Sequence, residues 1–171
     1  LFIPSEVSWT GAGITIRQVT GFPDEPATHL TVVSGSARMA IRVRLPGWLA
    51  GPAQACVNGE PVPGPHAAGT WLVIERQWRP GDRVDVSLPM TLALERTPDR
   101  PAVQALTYGP VVLSGGYGGV EAMPMPRLSP DSVTRIPGQR LRFEATADGR
   151  PVALVPIARM HHQHYNVYWL T

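Results

Sequence analysis

Proline spacing is the sequence feature that most constrains the fold of this chain. Nineteen prolines are spread over 171 residues, and a proline inside a helix removes a hydrogen bond and clashes with the preceding turn. The longest window without proline, residues 27–45, still shows no helical period. Its apolar side chains fall at every second position, at Met39, Ile41, Val43 and Leu45. A period of two is typical of a half-buried strand.

The same alternation recurs elsewhere in the chain and is separated by turn signals. It is found in residues 14–19, 83–88 and 141–145. The turn signals are Asn58-Gly59, Pro80-Gly81 and Asp148-Gly149, which combine residues suited to positive φ or to the first corner of a turn. Short strands spaced in this way predict an all-β fold. We expect one or two packed antiparallel β-sandwich units, jelly-roll-like, with little or no helix.

A charged, proline-bearing segment at residues 95–101 predicts the boundary between two units. We therefore predict a first β-sandwich unit over residues 1–96 and a second over residues 97–171. Glycines at residues 115–119 and prolines at 124–130 predict a long irregular loop within the second unit.

Charge and hydropathy exclude two classes of partner. All 15 basic residues are arginine, spread along the chain without a basic stripe, so we predict no nucleic-acid partner. No apolar run approaches the ~18 residues of a membrane helix, and we predict no membrane association. Cys56 is the one cysteine; its setting beside a tight turn favours a small buried hydrophobic side chain over a nucleophile.

The histidine tract at residues 160–169 is a candidate metal site. If the tract is one strand, His162 and His164 share a face and offer two nitrogens to a metal, while His161 points away. A zinc site needs further ligands, which no spacing in the chain supplies. The alternative is that these imidazoles form hydrogen bonds at a domain interface. We predict no cofactor or metal in this chain, with His162 and His164 as the candidate ligands if one binds.

Candidate groups for catalysis and sugar binding are sparse. Glycoside hydrolysis ordinarily requires two carboxylates, and no Asp or Glu here lies in apolar sequence of the kind that raises the pKa of an acid catalyst. We therefore expect no catalytic residue in this chain. Trp48, after Pro46-Gly47, is the candidate aromatic platform for a sugar, although packing in the core is the commoner role of tryptophan.

A series of short segments resembles, in the same order, glycoside hydrolase family 127, the β-L-arabinofuranosidase-like enzymes. Examples are Arg44-Leu45-Pro46-Gly47-Trp48 and Tyr108-Gly109-Pro110. The full set is residues 1–9, 16–23, 44–48, 57–59, 76–82, 88–90, 108–113 and 161–169. The resemblance covers essentially the whole chain.

The resemblance implies a parent enzyme with an (α/α)6 catalytic barrel followed by two β-sandwich units. It places a cysteine nucleophile, a zinc ion and a glutamate acid/base in the barrel, and no position in this chain matches them. We therefore expect an excised, non-catalytic accessory region that packs on the barrel of the same parent chain and aids homodimerisation. The expected barrel interface comprises Phe2, Trp9, Tyr165, Tyr168 and Trp169. The alternative is an independent carbohydrate-binding module.

Overall fold

The computed structural model describes residues 2–116 and 124–171. The chain forms two compact units, Leu1–Met90 and Thr91–Thr171. The boundary lies earlier than the predicted position after residue 96, because the strand Leu92–Arg96 pairs with Val103–Tyr108 of the second unit. The predicted all-β fold is confirmed. Helix in the described residues is confined to two short 3-10 segments, Thr10–Ala12 and Ile157–Arg159.

The first unit is a sandwich of a six-stranded and a two-stranded antiparallel sheet. In chain order the strands are β1 (Ser5–Trp9), β2 (Ile14–Val19), β3 (Ala27–Gly35), β4 (Ala37–Arg44), β5 (Gln54–Val57), β6 (Glu60–Pro61), β7 (Trp71–Trp78) and β8 (Arg83–Ser87). The large sheet has the order β1-β2-β3-β8-β5-β6, and β4 pairs with β7 in the small one. Both sheets contribute buried side chains to one core.

The alternating strands bury the residues that the sequence predicts. Ile41 and Val43 of β4 are buried against Leu72 and Ile74 of β7. Trp78 ends β7 with no exposed surface, and its indole N–H donates to the Met39 carbonyl oxygen at 3.0 Å. The small sheet is therefore fixed to the core by its apolar face, and its opposite face carries arginines together with the exposed side chains of Trp71 and Val73.

Two turns of the first unit are joined by side-chain hydrogen bonds. Asn58 and Gly59 adopt φ of 53° and 88°, as the predicted β5–β6 hairpin requires. The Asn58 amide donates to the Asp82 carboxylate at 2.7 Å, and the Asn58 side-chain oxygen accepts the Arg83 backbone N–H at 2.8 Å. The β5–β6 hairpin turn is thus hydrogen-bonded to the turn between β7 and β8.

The second unit is built from one eight-stranded sheet. Its strands are β9 (Leu92–Arg96), β10 (Val103–Tyr108), β11 (Val111–Gly116), β12 (Leu128–Arg135), β13 (Phe143–Ala147), β14 (Arg150–Pro156), β15 (Tyr165–Asn166) and β16 (Tyr168–Leu170). The order is β12-β13-β14-β11-β10-β16, with β15 beside β11 and β9 beside β10. The predicted irregular loop is shorter than expected, since Leu128 already begins β12; residues 117–123 lie outside the described part of the chain.

The sheet of the second unit curls around its own core. Leu128 of β12 and Trp169 of β16 lie at opposite ends of the strand order, yet both are buried in the same cluster with Phe143. An isolated bridge between Arg127 and Leu170 joins the two ends. The second unit therefore buries one face of its sheet by curling the sheet until its two ends meet.

Candidate functional site

The inner face of the large sheet in the first unit is only partly covered. Directly opposed residues of antiparallel strands point to the same side, and Val7 opposes Ile16 while Trp9 opposes Ile14. Ile14 is 3% exposed, whereas Val7 and Trp9 remain 61% and 54% exposed. The core-facing side of β1 therefore presents an apolar strip, because the small sheet has two strands and the large sheet has six.

The predicted interface residue Phe2 and the predicted sugar platform Trp48 lie together rather than apart. The Phe22 ring lies 5.2 Å from the Phe2 ring and 5.7 Å from the Trp48 ring, centroid to centroid, and it stacks on Trp48. All three rings are partly buried against the core of the first unit. Trp48 thus uses its ring for packing, which was the alternative considered from the sequence.

A cleft of about 320 Å³ lies within the first unit. Its apolar lining comes from Phe2, Leu30 and Val43, and its polar lining includes Gln18 and Thr28. Thr28 is 1% exposed, and its hydroxyl accepts a hydrogen bond from the Gln18 amide at 2.8 Å. A polar pair is thereby held in place among apolar side chains.

The rim of the cleft is cationic and aromatic. Arg42, Arg44 and Trp71 line it, and the Arg44 guanidinium lies 6.0 Å from the centroid of the Trp71 ring. Trp71 is 57% exposed. None of these residues is among the site residues predicted from the sequence. The available signal was the alternation of β4, which places Arg42 and Arg44 on the face opposite the core.

A charged cluster lies on the outer face of the large sheet. The His29 Nδ1 lies 2.5 Å from the Asp85 carboxylate, and Arg83 donates to the same oxygen at 2.6 Å. Partial burial acts to raise the pKa of Asp85, but hydrogen bonds from His29 and Arg83 outweigh it, so the pKa of Asp85 is lowered. Asp85 is therefore ionised near neutral pH and is not suited to act as a proton donor.

Cys56 opposes Asp85 across the β5–β8 pair. It is partly buried, and its two strand neighbours Ala55 and Val57 are in the core. The resemblance to family 127 implies a zinc site in the barrel with more than one cysteine ligand, which a chain with one cysteine cannot supply. In the described residues no three His, Cys, Asp or Glu side chains are grouped closely enough to hold a metal.

The histidine tract does not form the single strand on which the candidate metal site was based. Residues 161–164 precede β15 and lie outside regular strand, and His162 has φ of 54°. Because alternation does not apply there, His162 and His164 are not placed on one face by a strand. Both side chains are exposed.

The three aromatic residues predicted at the C-terminal end have different environments. Tyr165 and Tyr168 are 47% and 48% exposed. Trp169 is fully buried in the core of the second unit, so its predicted place at an interface is wrong. Its ring fits because residue 115 is glycine: a Cβ there would lie 2.5 Å from the indole ring. The Trp169 N–H has no hydrogen-bond partner within the described part of the chain.

Comparison with known proteins identifies the family. The sequence profile described as "Beta-L-arabinofuranosidase, GH127 middle domain" matches residues 1–90. This chain belongs to glycoside hydrolase family 127. The resemblance seen in the sequence is thereby confirmed, and the first unit is the middle domain of that family. No curated protein matches the chain.

Solved structures share the fold over the whole chain. A GH127 β-arabinofuranosidase superposes with a TM-score of 0.70 at 21% identity, covering 98% of this chain and 33% of that one. A GH127 β-L-arabinofuranosidase from Geobacillus stearothermophilus T6 gives 0.67 at 20% identity, covering 99% and 33%. A third glycoside hydrolase gives 0.68 at 20% identity, covering 96% and 34%. The chain spans about a third of the length of these structures.

Both units therefore have counterparts in the family-127 fold, although the matching profile ends at residue 90. The described residues contain no helix long and apolar enough to cross a membrane. Two candidate binding surfaces lie in the first unit: the apolar strip of Val7 and Trp9, and the arginine-rimmed cleft.

Proposed function

We propose that this chain is the non-catalytic accessory β-sandwich region of a glycoside hydrolase with β-L-arabinofuranosidase-like activity. Its role is to pack against an (α/α)6 catalytic barrel of the same parent chain and to stiffen it. The cysteine nucleophile, the zinc ion and the glutamate acid/base belong to that barrel. The residues described here do not fit the zinc site, because Cys56 is the one cysteine of the sequence.

One observation carries the packing proposal: the core-facing side of β1 carries two apolar side chains that remain uncovered. Val7 and Trp9 share a face with buried Ile14 but keep more than half of their surface exposed. Ile3, two residues before β1, is also 56% exposed. Contiguous exposed apolar surface in a folded protein marks an interaction site. A barrel docked on this strip would complete the covering of the sheet that the small sheet begins.

The experiment places Trp9→Asp in the full-length parent enzyme. Docking of the barrel on this strip predicts earlier thermal unfolding and faster proteolysis between barrel and sandwich, with reduced arabinosidase activity. The matched control is Val19→Asp, which alters an apolar side chain of nearly equal exposure, 55% against 54%, on the outer face of the large sheet beside His29. Equal effects of the two variants would contradict the docking surface.

The strip is open to a second copy of the chain only when no barrel covers it. When the chain is purified without a barrel, the exposed strip should pair with its copy. Sedimentation velocity should then show a concentration-dependent dimer that Trp9→Asp converts to a monomer. A chain that sediments as a monomer at all concentrations would contradict this part of the proposal. Hydrolysis of an arabinoside by the purified chain alone would contradict the accessory role itself.

A further inference from the structure

We propose that the arginine-rimmed cleft of the first unit binds a short acidic saccharide. The sugar ring would lie against Trp71, and its carboxylate would bind Arg42. The cleft volume of about 320 Å³ is at the lower end of the ~300–1,000 Å³ typical of small-molecule sites. A cleft of this size suits a short ligand rather than a long polymer chain.

The charge of the residues that line the cleft favours a ligand with a carboxylate. Arg42 and Arg44 line the cleft, and none of the lining residues is acidic. Arg42 forms no ion pair with any described residue, whereas Arg38 on the same strand lies 4.0 Å from Glu75. A guanidinium binds a carboxylate through two parallel N–H donors. An anion in the cleft would therefore meet an uncompensated cation.

The geometry of β4 adds backbone donors to the cleft. Its consecutive residues Arg42, Val43 and Arg44 all line the cleft, which means that the cleft runs along the edge of the strand rather than along one face. In the described residues β4 pairs only with β7, so its second edge keeps free N–H and C=O groups. Hydroxyl groups of a sugar can both donate to and accept from such an edge.

The aromatic and polar lining favours a saccharide over a simple anion. Exposed indole rings offer a flat apolar face with a polar edge, and the nearby Arg44 guanidinium restrains the Trp71 ring by a cation–π contact. The Gln18–Thr28 pair places an amide and a hydroxyl among apolar side chains. An inorganic anion would bind the arginines without contacting the Trp71 ring.

This inference does not depend on the barrel-docking proposal, because it concerns other residues. The docking strip consists of Val7 and Trp9, whereas the cleft is recognised through Arg42 and Trp71. Variants of one surface leave the other intact, so that the two proposals can fail separately.

The test is calorimetric titration of the purified 171-residue chain with galacturonate, with galactose and acetate as matched probes. Galacturonate should bind saturably and more weakly as the salt concentration rises, while galactose and acetate each bind at least about tenfold more weakly. Arg42→Gln and Trp71→Ala should each weaken galacturonate binding about tenfold or more. Arg38→Gln and Trp9→Ala, which alter exposed side chains outside the cleft, should leave it unchanged.

Three results would overturn the inference. The absence of saturable galacturonate binding would show that the cleft does not bind an acidic saccharide. Acetate binding as tight as galacturonate shows that the cleft holds only an anion, and equal binding of galactose shows that Arg42 recognises no carboxylate. Thermal unfolding of each variant, compared with the wild type, establishes that loss of binding is not loss of fold. If a variant unfolds, chemical-shift mapping of galacturonate on the wild-type chain decides between the cleft and other surfaces.

Discussion

Replacing Gly115 with alanine tests the packing that buries Trp169. A Cβ at this position would lie 2.5 Å from the Trp169 ring and 2.9 Å from the Val152 Cγ2, whereas carbon atoms prefer separations of about 3.5–4.0 Å. Both neighbours are core side chains, so neither moves aside freely. Overpacking of this kind costs about 1–3 kcal/mol.

The adjacent residue provides the control. A Cβ at Gly116 would approach the Gln163 side-chain oxygen at 2.9 Å and the Met160 Cε at 3.2 Å, and both are ends of flexible side chains. Both substitutions also restrict the unfolded chain equally, so that effect cancels in the comparison. We expect Gly115→Ala to lower Tm by about 5–15 °C relative to Gly116→Ala, for a unit of this size.

The assay is thermal unfolding followed by near-ultraviolet circular dichroism, which reports the environment of the ordered aromatic rings, Trp169 among them. Adding Trp169→Phe should relieve part of the clash. The double variant should therefore be at least about 1 kcal/mol more stable than the sum of the single effects predicts. Equal Tm values for Gly115→Ala and Gly116→Ala would refute the reasoning, because they would show that the Trp169 ring does not pack tightly against residue 115.

Three further predictions concern the first unit and the histidine tract. The Asn58 hydrogen bond lowers the pKa of Asp82 below its ordinary value of 3.8, helped by the Arg79 N–H and the Arg76 charge against the effect of burial. The ionised Asp82 carboxylate therefore stabilises the fold at pH values above its pKa in the unfolded chain, and this stabilisation is lost as the pH falls through its pKa in the folded protein. Asp82→Ala should remove this loss, so that Tm declines less steeply below about pH 4. Trp78→Phe should cost about 2–4 kcal/mol in urea unfolding, because it removes buried surface and leaves the Met39 carbonyl without its donor. Dialysis against a chelator should leave Tm unchanged, as should the double substitution of His162 and His164 by alanine, whereas a chelator-induced drop in Tm would restore a metal site.

Local signals in the sequence predicted the strands and turns because each is set within a few residues. Alternation fixed the buried face of β4, and the positive φ at Asn58 and Asp148, 53° and 47°, follows from the residue types that tolerate it. The histidine tract is not set locally in this way. The candidate pair His162 and His164 requires alternation across residues 161–164, but a 3-10 segment and a bend precede β15.

Exposure of aromatic residues depends on contacts that sequence does not encode locally. Trp9 and Trp169 both lie on strands, yet one is 54% exposed and the other is fully buried. The difference is how far the opposing layer extends: two strands cover part of a six-stranded sheet in the first unit, and a curled sheet covers itself in the second. Likewise, no local pattern brings Gln18 of β2 to the same cleft as Arg42 of β4.

Most of the large exposed apolar side chains of the described residues lie in the first unit. Of the described residues, tryptophan is exposed at Trp9 and Trp71, and both lie in the first unit. In the second unit the largest exposed apolar side chains are Tyr165 and Tyr168, whose hydroxyl groups are readily hydrated. A barrel that docked mainly on the second unit would bury these tyrosines and leave the strip of β1 in water. Since burial of apolar surface drives stable association, we expect the β1 strip to be the stronger docking surface, and Trp9→Asp should destabilise the parent enzyme more than Tyr168→Asp does.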